Sequence, residues 1–75
     1  MIDYKKLLID EICKHAKERI SKGKDYHYNN GDVHLFVQYF EDTGNIQINM
    51  RIGYDLNGKL TNDINDLKEF LNRYL

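Results

Sequence analysis

A chain of 75 residues is long enough for one domain and no more, and residues 1–75 read as a single compact unit. Its 11 basic and 12 acidic side chains nearly cancel to a net charge of −1, which argues against a strongly basic nucleic-acid protein and against an acidic mimic of nucleic acid. A lone cysteine, Cys13, excludes an internal disulfide, and apolar runs no longer than Leu7-Leu8-Ile9 exclude a helical membrane span, which needs ~20 residues.

Residues 3–22 have the spacing of an amphipathic helix. Leu8, Ile9, Ile12, Cys13, Ala16 and Ile20 fall on one stripe. Asp3 is placed to cap its start, and Gly23 stands where a left-handed C-cap belongs. Leu7 points away from the stripe. The second half of this helix is the most basic part of the chain: Lys14, Lys17, Arg19, Lys22 and Lys24 are opposed only by Glu18.

Residues 24–54 read as three antiparallel strands. Asn30-Gly31 is a strong signal for a two-residue type I′ hairpin loop. A loop centred there sets Tyr28 against Val33, His27 against His34, Tyr26 against Leu35 and Asp25 against Phe36. A second loop centred on Thr43-Gly44 sets Tyr39 against Ile48, Val37 against Met50, Leu35 against Ile52 and Val33 against Tyr54. This choice gives one wholly apolar face of Tyr26, Tyr28, Val33, Leu35, Val37, Tyr39, Ile48, Met50, Ile52 and Tyr54, whereas a slip of one residue would bury Gln38 and His34.

Residues 62–75 read as a second amphipathic helix, with Ile64, Leu67, Phe70, Leu71, Tyr74 and Leu75 on its stripe and Thr61, Asn62 or Asp63 as its cap. Asn57-Gly58 before it is another hairpin-type turn. It admits a short fourth strand near Lys59–Thr61 that pairs back on Tyr54–Leu56.

The expected architecture is α+β: α-β-β-β-α, an antiparallel meander with both helices packed on one face. This order of elements resembles that of the double-stranded-RNA-binding domain. The resemblance is confined to topology. That family carries a lysine-rich motif at the start of its second helix, where this chain has Thr61-Asn62-Asp63-Ile64.

The register also predicts what faces away from the helices: rows of Asp25–Phe36–Arg51, His27–His34–Gly53, Gln38–Asn49 and Phe40–Gln47. A face left to water should alternate cleanly to polar residues, yet this one carries Phe36 and Phe40. With Gln38, Gln47, Asn49 and Arg51 they form a candidate partner-binding patch, suited to another protein or to a second copy in a homodimer. His27 and His34, directly opposite each other, are a weak candidate pair for a metal such as Zn²⁺. The basic half of the first helix is a candidate phosphate-contacting ridge.

No nucleophile–base set, glycine-rich phosphate loop or cofactor motif stands out, so binding rather than catalysis is expected, with no cofactor. Cys13 belongs to the buried stripe, where thiols are ordinarily inert. The opening Met-Ile-Asp-Tyr-Lys-Lys has no signal-peptide core, and together with the single cysteine it makes a cytoplasmic location the expectation. The leading functional expectation is a non-enzymatic protein-binding module. It would be a small regulator or inhibitor of the kind phages and mobile elements encode, for example to block a host defence enzyme. The alternative is a sequence-nonspecific nucleic-acid binder that uses Lys14, Lys17, Arg19, Lys22 and Lys24. A purely structural subunit of a larger assembly is a third class.

Overall fold

The computed structural model describes residues 3–75. Asp3 caps the first helix, α1 (Tyr4–Ser21), by accepting the Lys6 N–H at 3.1 Å. At the other end Gly23 adopts φ 71°, its N–H reaches the Ile20 carbonyl, and the Lys24 N–H reaches that of Arg19. These two bonds form a Schellman motif and turn the chain back on itself. Ile9, Ile12, Cys13 and Ala16 are buried, as their spacing predicts, and Leu7 is exposed.

Four strands follow: β1 (Tyr26–Asn30), β2 (Val33–Phe40), β3 (Asn45–Ile52) and β4 (Asp55–Thr61). They form one antiparallel meander in the order β1-β2-β3-β4. The short fourth strand that the sequence admits is a full one, and Asn57-Gly58 lies inside it rather than at a turn. The chain therefore departs from the three-strand order of the double-stranded-RNA-binding domain.

The loops explain the difference. Among the described residues none other than glycine has a positive φ, so Asn30 does not hold the first position of a type I′ turn. Gly31, at φ 59°, takes the first loop position instead, and the loop becomes Gly31-Asp32. Gly53, at φ 61°, does the same for Gly53-Tyr54 between β3 and β4. Between β2 and β3 the loop is not Thr43-Gly44 alone. It spans residues 41–44, closed by the Gly44 N–H on the Phe40 carbonyl at 2.8 Å.

Each of the two predicted registers is consequently displaced by two residues. Tyr28 faces Leu35 rather than Val33, Tyr26 faces Val37, and His27 faces Phe36. Val33 faces Ile52 rather than Tyr54, Val37 faces Ile48, and Tyr39 faces Ile46. A shift of two preserves which face each side chain occupies. It does change the ends of the apolar face: Ile46 is buried, while Tyr54 stands at a loop tip at 103% relative exposure.

The second helix, α2 (Asp66–Tyr74), starts four residues later than expected. Residues 63–65 form a tighter opening turn, in which Asp66, Leu67 and Lys68 donate to the carbonyls of Asp63, Ile64 and Asn65. Asp63 still acts as a cap for this turn, accepting the Asn65 N–H at 2.9 Å, and Thr61 accepts the Asp63 N–H. Leu67, Phe70 and Leu71 of α2 join the buried residues of α1 and Leu35, Val37, Ile46, Ile48 and Met50 of the sheet in one core. All five sheet residues share a face, so both helices cover that face. Lys68 and Asp10 pair across the two helices at 3.6 Å.

Candidate functional site

The opposite face of the sheet has no helix on it. Alternation along the strands brings there His27 and Asn29 of β1, His34, Phe36, Gln38 and Phe40 of β2, and Gln47, Asn49 and Arg51 of β3. The six predicted partner-binding residues, Phe36, Gln38, Phe40, Gln47, Asn49 and Arg51, therefore do share one surface. Their rows differ from the expected ones. Phe36 lies between His27 and Asn49, Gln38 faces Gln47, and Phe40 faces Asn45.

Arg51 is not beside Phe36: it sits between His34 and Leu56 and remains exposed. Asp25 leaves the outer rows altogether. Its carboxylate accepts the Tyr39 N–H at 2.9 Å and extends the β1–β2 pairing back beyond the start of β1.

Phe36 is half-buried because the ring of His27 packs edge-on against it, with centroids 4.3 Å apart. Phe40, at the end of β2, is 39% exposed. The Gln47 amide donates to the Asn49 side-chain oxygen at 3.2 Å, and this pair lies over Gly58 of β4, where an added Cβ would come 3.0 Å from that same oxygen.

Beyond them the fourth strand adds two residues that the sequence reading did not include: Leu56, 75% exposed, and Leu60, 59% exposed. The alternation Asp55-Leu56-Asn57-Gly58-Lys59-Leu60-Thr61 carried the signal, but assigning Asn57-Gly58 to a turn concealed it. The outer face thus presents Phe36, Phe40, Leu56 and Leu60 among amides, His34 and Arg51.

The histidine pair is not arranged as expected. The displaced register sets His27 against Phe36 and His34 against Asn29, so the two imidazoles are diagonal neighbours. His34 Nδ1 is engaged with the Asn29 side-chain oxygen at 2.7 Å. Among the described residues no group of three or more His, Cys, Asp or Glu side chains converges as a metal site would require.

The basic residues are divided by the fold. Arg19 folds toward β1 and donates from Nε to the Asp25 carbonyl at 2.9 Å, and Lys22 pairs with Glu18 at 3.6 Å. Arg19, Lys22 and Lys24 line an open groove with Glu18, Asp25 and Tyr26, while Lys14 and Lys17 lie outside it. The turn at Gly23, which brings β1 alongside the end of α1, creates this groove. Its carboxylates give it mixed charge.

Cys13 lies in the core, and burial pushes its thiol pKa up. Burial likewise raises the Tyr26 phenol. Neither shift makes a reactive group, since both favour the neutral form. No helix among the described residues is long and apolar enough to cross a membrane.

No protein-family model matches the chain, and no curated protein or solved structure matches it significantly.

Proposed function

We propose that the protein is a non-enzymatic binding module that docks another protein on the outer face of its sheet. The observation that carries this reading is the division of labour between the two faces. Both helices take the inner face, and the outer one keeps Phe40, Leu56 and Leu60 exposed and Phe36 half-buried, among polar residues. Apolar side chains interspersed with amides have the composition of an interaction surface, with aromatic anchors on β2, leucines on β4 and, between them, β3 amides able to satisfy a partner's polar groups. Its size and the lack of a cofactor motif fit a small regulator or inhibitor that acts by covering part of its target.

The experiment uses the full chain as bait and compares it with Phe36→Asp and Phe40→Asp. Both side chains face away from the core, so circular dichroism should report an intact fold for each variant. Co-purifying protein should be lost with them and kept with Lys14→Glu and Lys17→Glu. If the lysine variants abolish binding instead, and the retained component is nucleic acid that elutes with moderate salt, the basic-helix reading replaces this one.

A further inference from the structure

We propose that β4 pairs antiparallel with β4 of a second copy about a two-fold axis through Gly58, joining the two sheets edge to edge. An edge strand offers a row of unpaired N–H and C=O groups, and proteins usually shorten, bend or cover such edges. The two edges of this sheet are treated differently. β1 has 5 residues, and the end of α1 closes over its start through the Arg19 bond to the Asp25 carbonyl. β4 has 7 residues, contains no proline, and is tied to α2 through its helix-facing residues, where Asp66 takes the Thr61 hydroxyl and pairs with Lys59 at 3.8 Å.

The register follows from the loop. Ile52 and Asp55 close the two-residue Gly53-Tyr54 loop as a hydrogen-bonded pair, so Asp55, Asn57, Lys59 and Thr61 direct their backbone groups to β3. Leu56, Gly58 and Leu60 direct theirs outward. An axis through Gly58 pairs Gly58 with itself and Leu56 with Leu60 of the second copy. Every outward N–H and C=O of these three residues is then matched in both chains.

The side chains complement one another in the same register. Residues directly opposite lie with Cβ atoms about 4.5–5.5 Å apart, so each exposed Leu56 meets an exposed Leu60. Gly58 leaves the axis itself free of side chains. On the helix side Asp55 becomes a diagonal neighbour of Lys59 of the second copy, and the two-fold repeats this opposite-charge contact. The adjoining groove, lined by Lys59, Glu69 and Arg73, also carries both signs of charge. An axis through Asn57 would instead set Leu56 against Gly58 and leave Leu60 outside the seam.

The seam shares Leu56 and Leu60 with the outer face but does not use Phe36 or Phe40, so Phe36→Asp tells the two readings apart. Sedimentation of the full chain over a range of concentrations should show a reversible species of twice the 9.0 kDa chain mass. Leu56→Lys with Leu60→Lys sets like charges opposite each other at both ends and should weaken association roughly tenfold or more. Leu56→Lys with Leu60→Glu sets opposite charges there and should restore it. Both leucines are exposed, so circular dichroism should be unchanged in either pair. Phe36→Asp should leave the dimer intact. A chain that stays at single mass throughout, two leucine pairs that behave alike, assembly beyond the dimer, or loss of the dimer with Phe36→Asp alone would each overturn the proposal.

Discussion

Replacing Ile46 and Tyr54 separately by alanine tests the strand register directly. A Thr43-Gly44 loop would set Tyr54 against Val33 inside the apolar face, whereas the observed 41–44 loop buries Ile46 and frees Tyr54. Ile46 retains 3% of its exposure and packs in the common core. Ile46→Ala removes buried carbons worth about 0.8 kcal/mol per methylene and leaves a cavity, for a total loss of about 2–5 kcal/mol. A domain of this size holds only ~3–5 kcal/mol in all, so the variant should lose a large share of its stability. Ile46→Val, at about 0.5–1.5 kcal/mol, gives a measurable step if the alanine variant does not fold. Tyr54→Ala removes a side chain with no burial and should stay within about 0.5 kcal/mol of the parent. Urea denaturation followed by far-ultraviolet circular dichroism measures all three. A Tyr54→Ala loss larger than that of Ile46→Val would refute the observed register.

The same denaturation assay reads three further expectations. Gly53→Ala forces a side chain into the left-handed region at φ 61° and should cost about 1–2 kcal/mol. Gly58→Ala should cost less, because its Cβ meets the movable Asn49 side chain; the reverse order would restore the turn at Asn57-Gly58. The raised Cys13 pKa means the folded state holds the thiol proton more tightly than the unfolded chain does. Its contribution is complete below the ordinary thiol pKa and is lost as pH rises through the raised value, so Cys13→Ala should flatten the first part of the alkaline decline. Asp66→Ala removes the acceptor that joins the end of β4 to the start of α2 and should cost about 1–2 kcal/mol, with little further loss on adding Thr61→Val.

What the sequence reveals and what it hides have one physical source. Side chains alternate along a strand with a period of two, so the apolar residues of β2 and β3 name their face whatever the loop lengths. Leu35, Val37, Ile48 and Met50 could be assigned to the core, and Phe36 and Phe40 to the outside, without knowing where the chain turns. Row-by-row contacts are different, because they depend on which residue accepts a positive φ. An Asn-Gly pair fits a type I′ loop, but its glycine alone can also lead a loop that starts one residue later. Gly31 does so, and the pairing of His27 with His34 goes with it, while the four-residue 41–44 loop removes that of Arg51 with Phe36. The capping signals at Asp3 and Gly23 were legible because they are local. The groove beside Arg19 was not, since it exists only after the Gly23 turn folds β1 against α1.

The two binding features proposed for this chain act along perpendicular directions. A partner docked on the outer face would approach along the sheet normal, and a second copy at the β4 edge within the sheet plane. One event therefore does not block the other. Edge pairing would also set two outer faces side by side in a single surface, with the Leu56 and Leu60 strip running between the two Phe36–Phe40 patches. A partner with two-fold symmetry could then be held at both patches at once, and the second contact would form at an effective concentration fixed by the seam rather than by the solution. Leu56→Lys with Leu60→Lys should in that case lower the apparent affinity for such a partner more than it lowers that for a partner able to engage only one Phe36–Phe40 patch. Leu56→Lys with Leu60→Glu should recover most of the loss. A partner bound equally well by the parent and by both pairs of variants engages one patch only, and the dimer then has no part in its recognition.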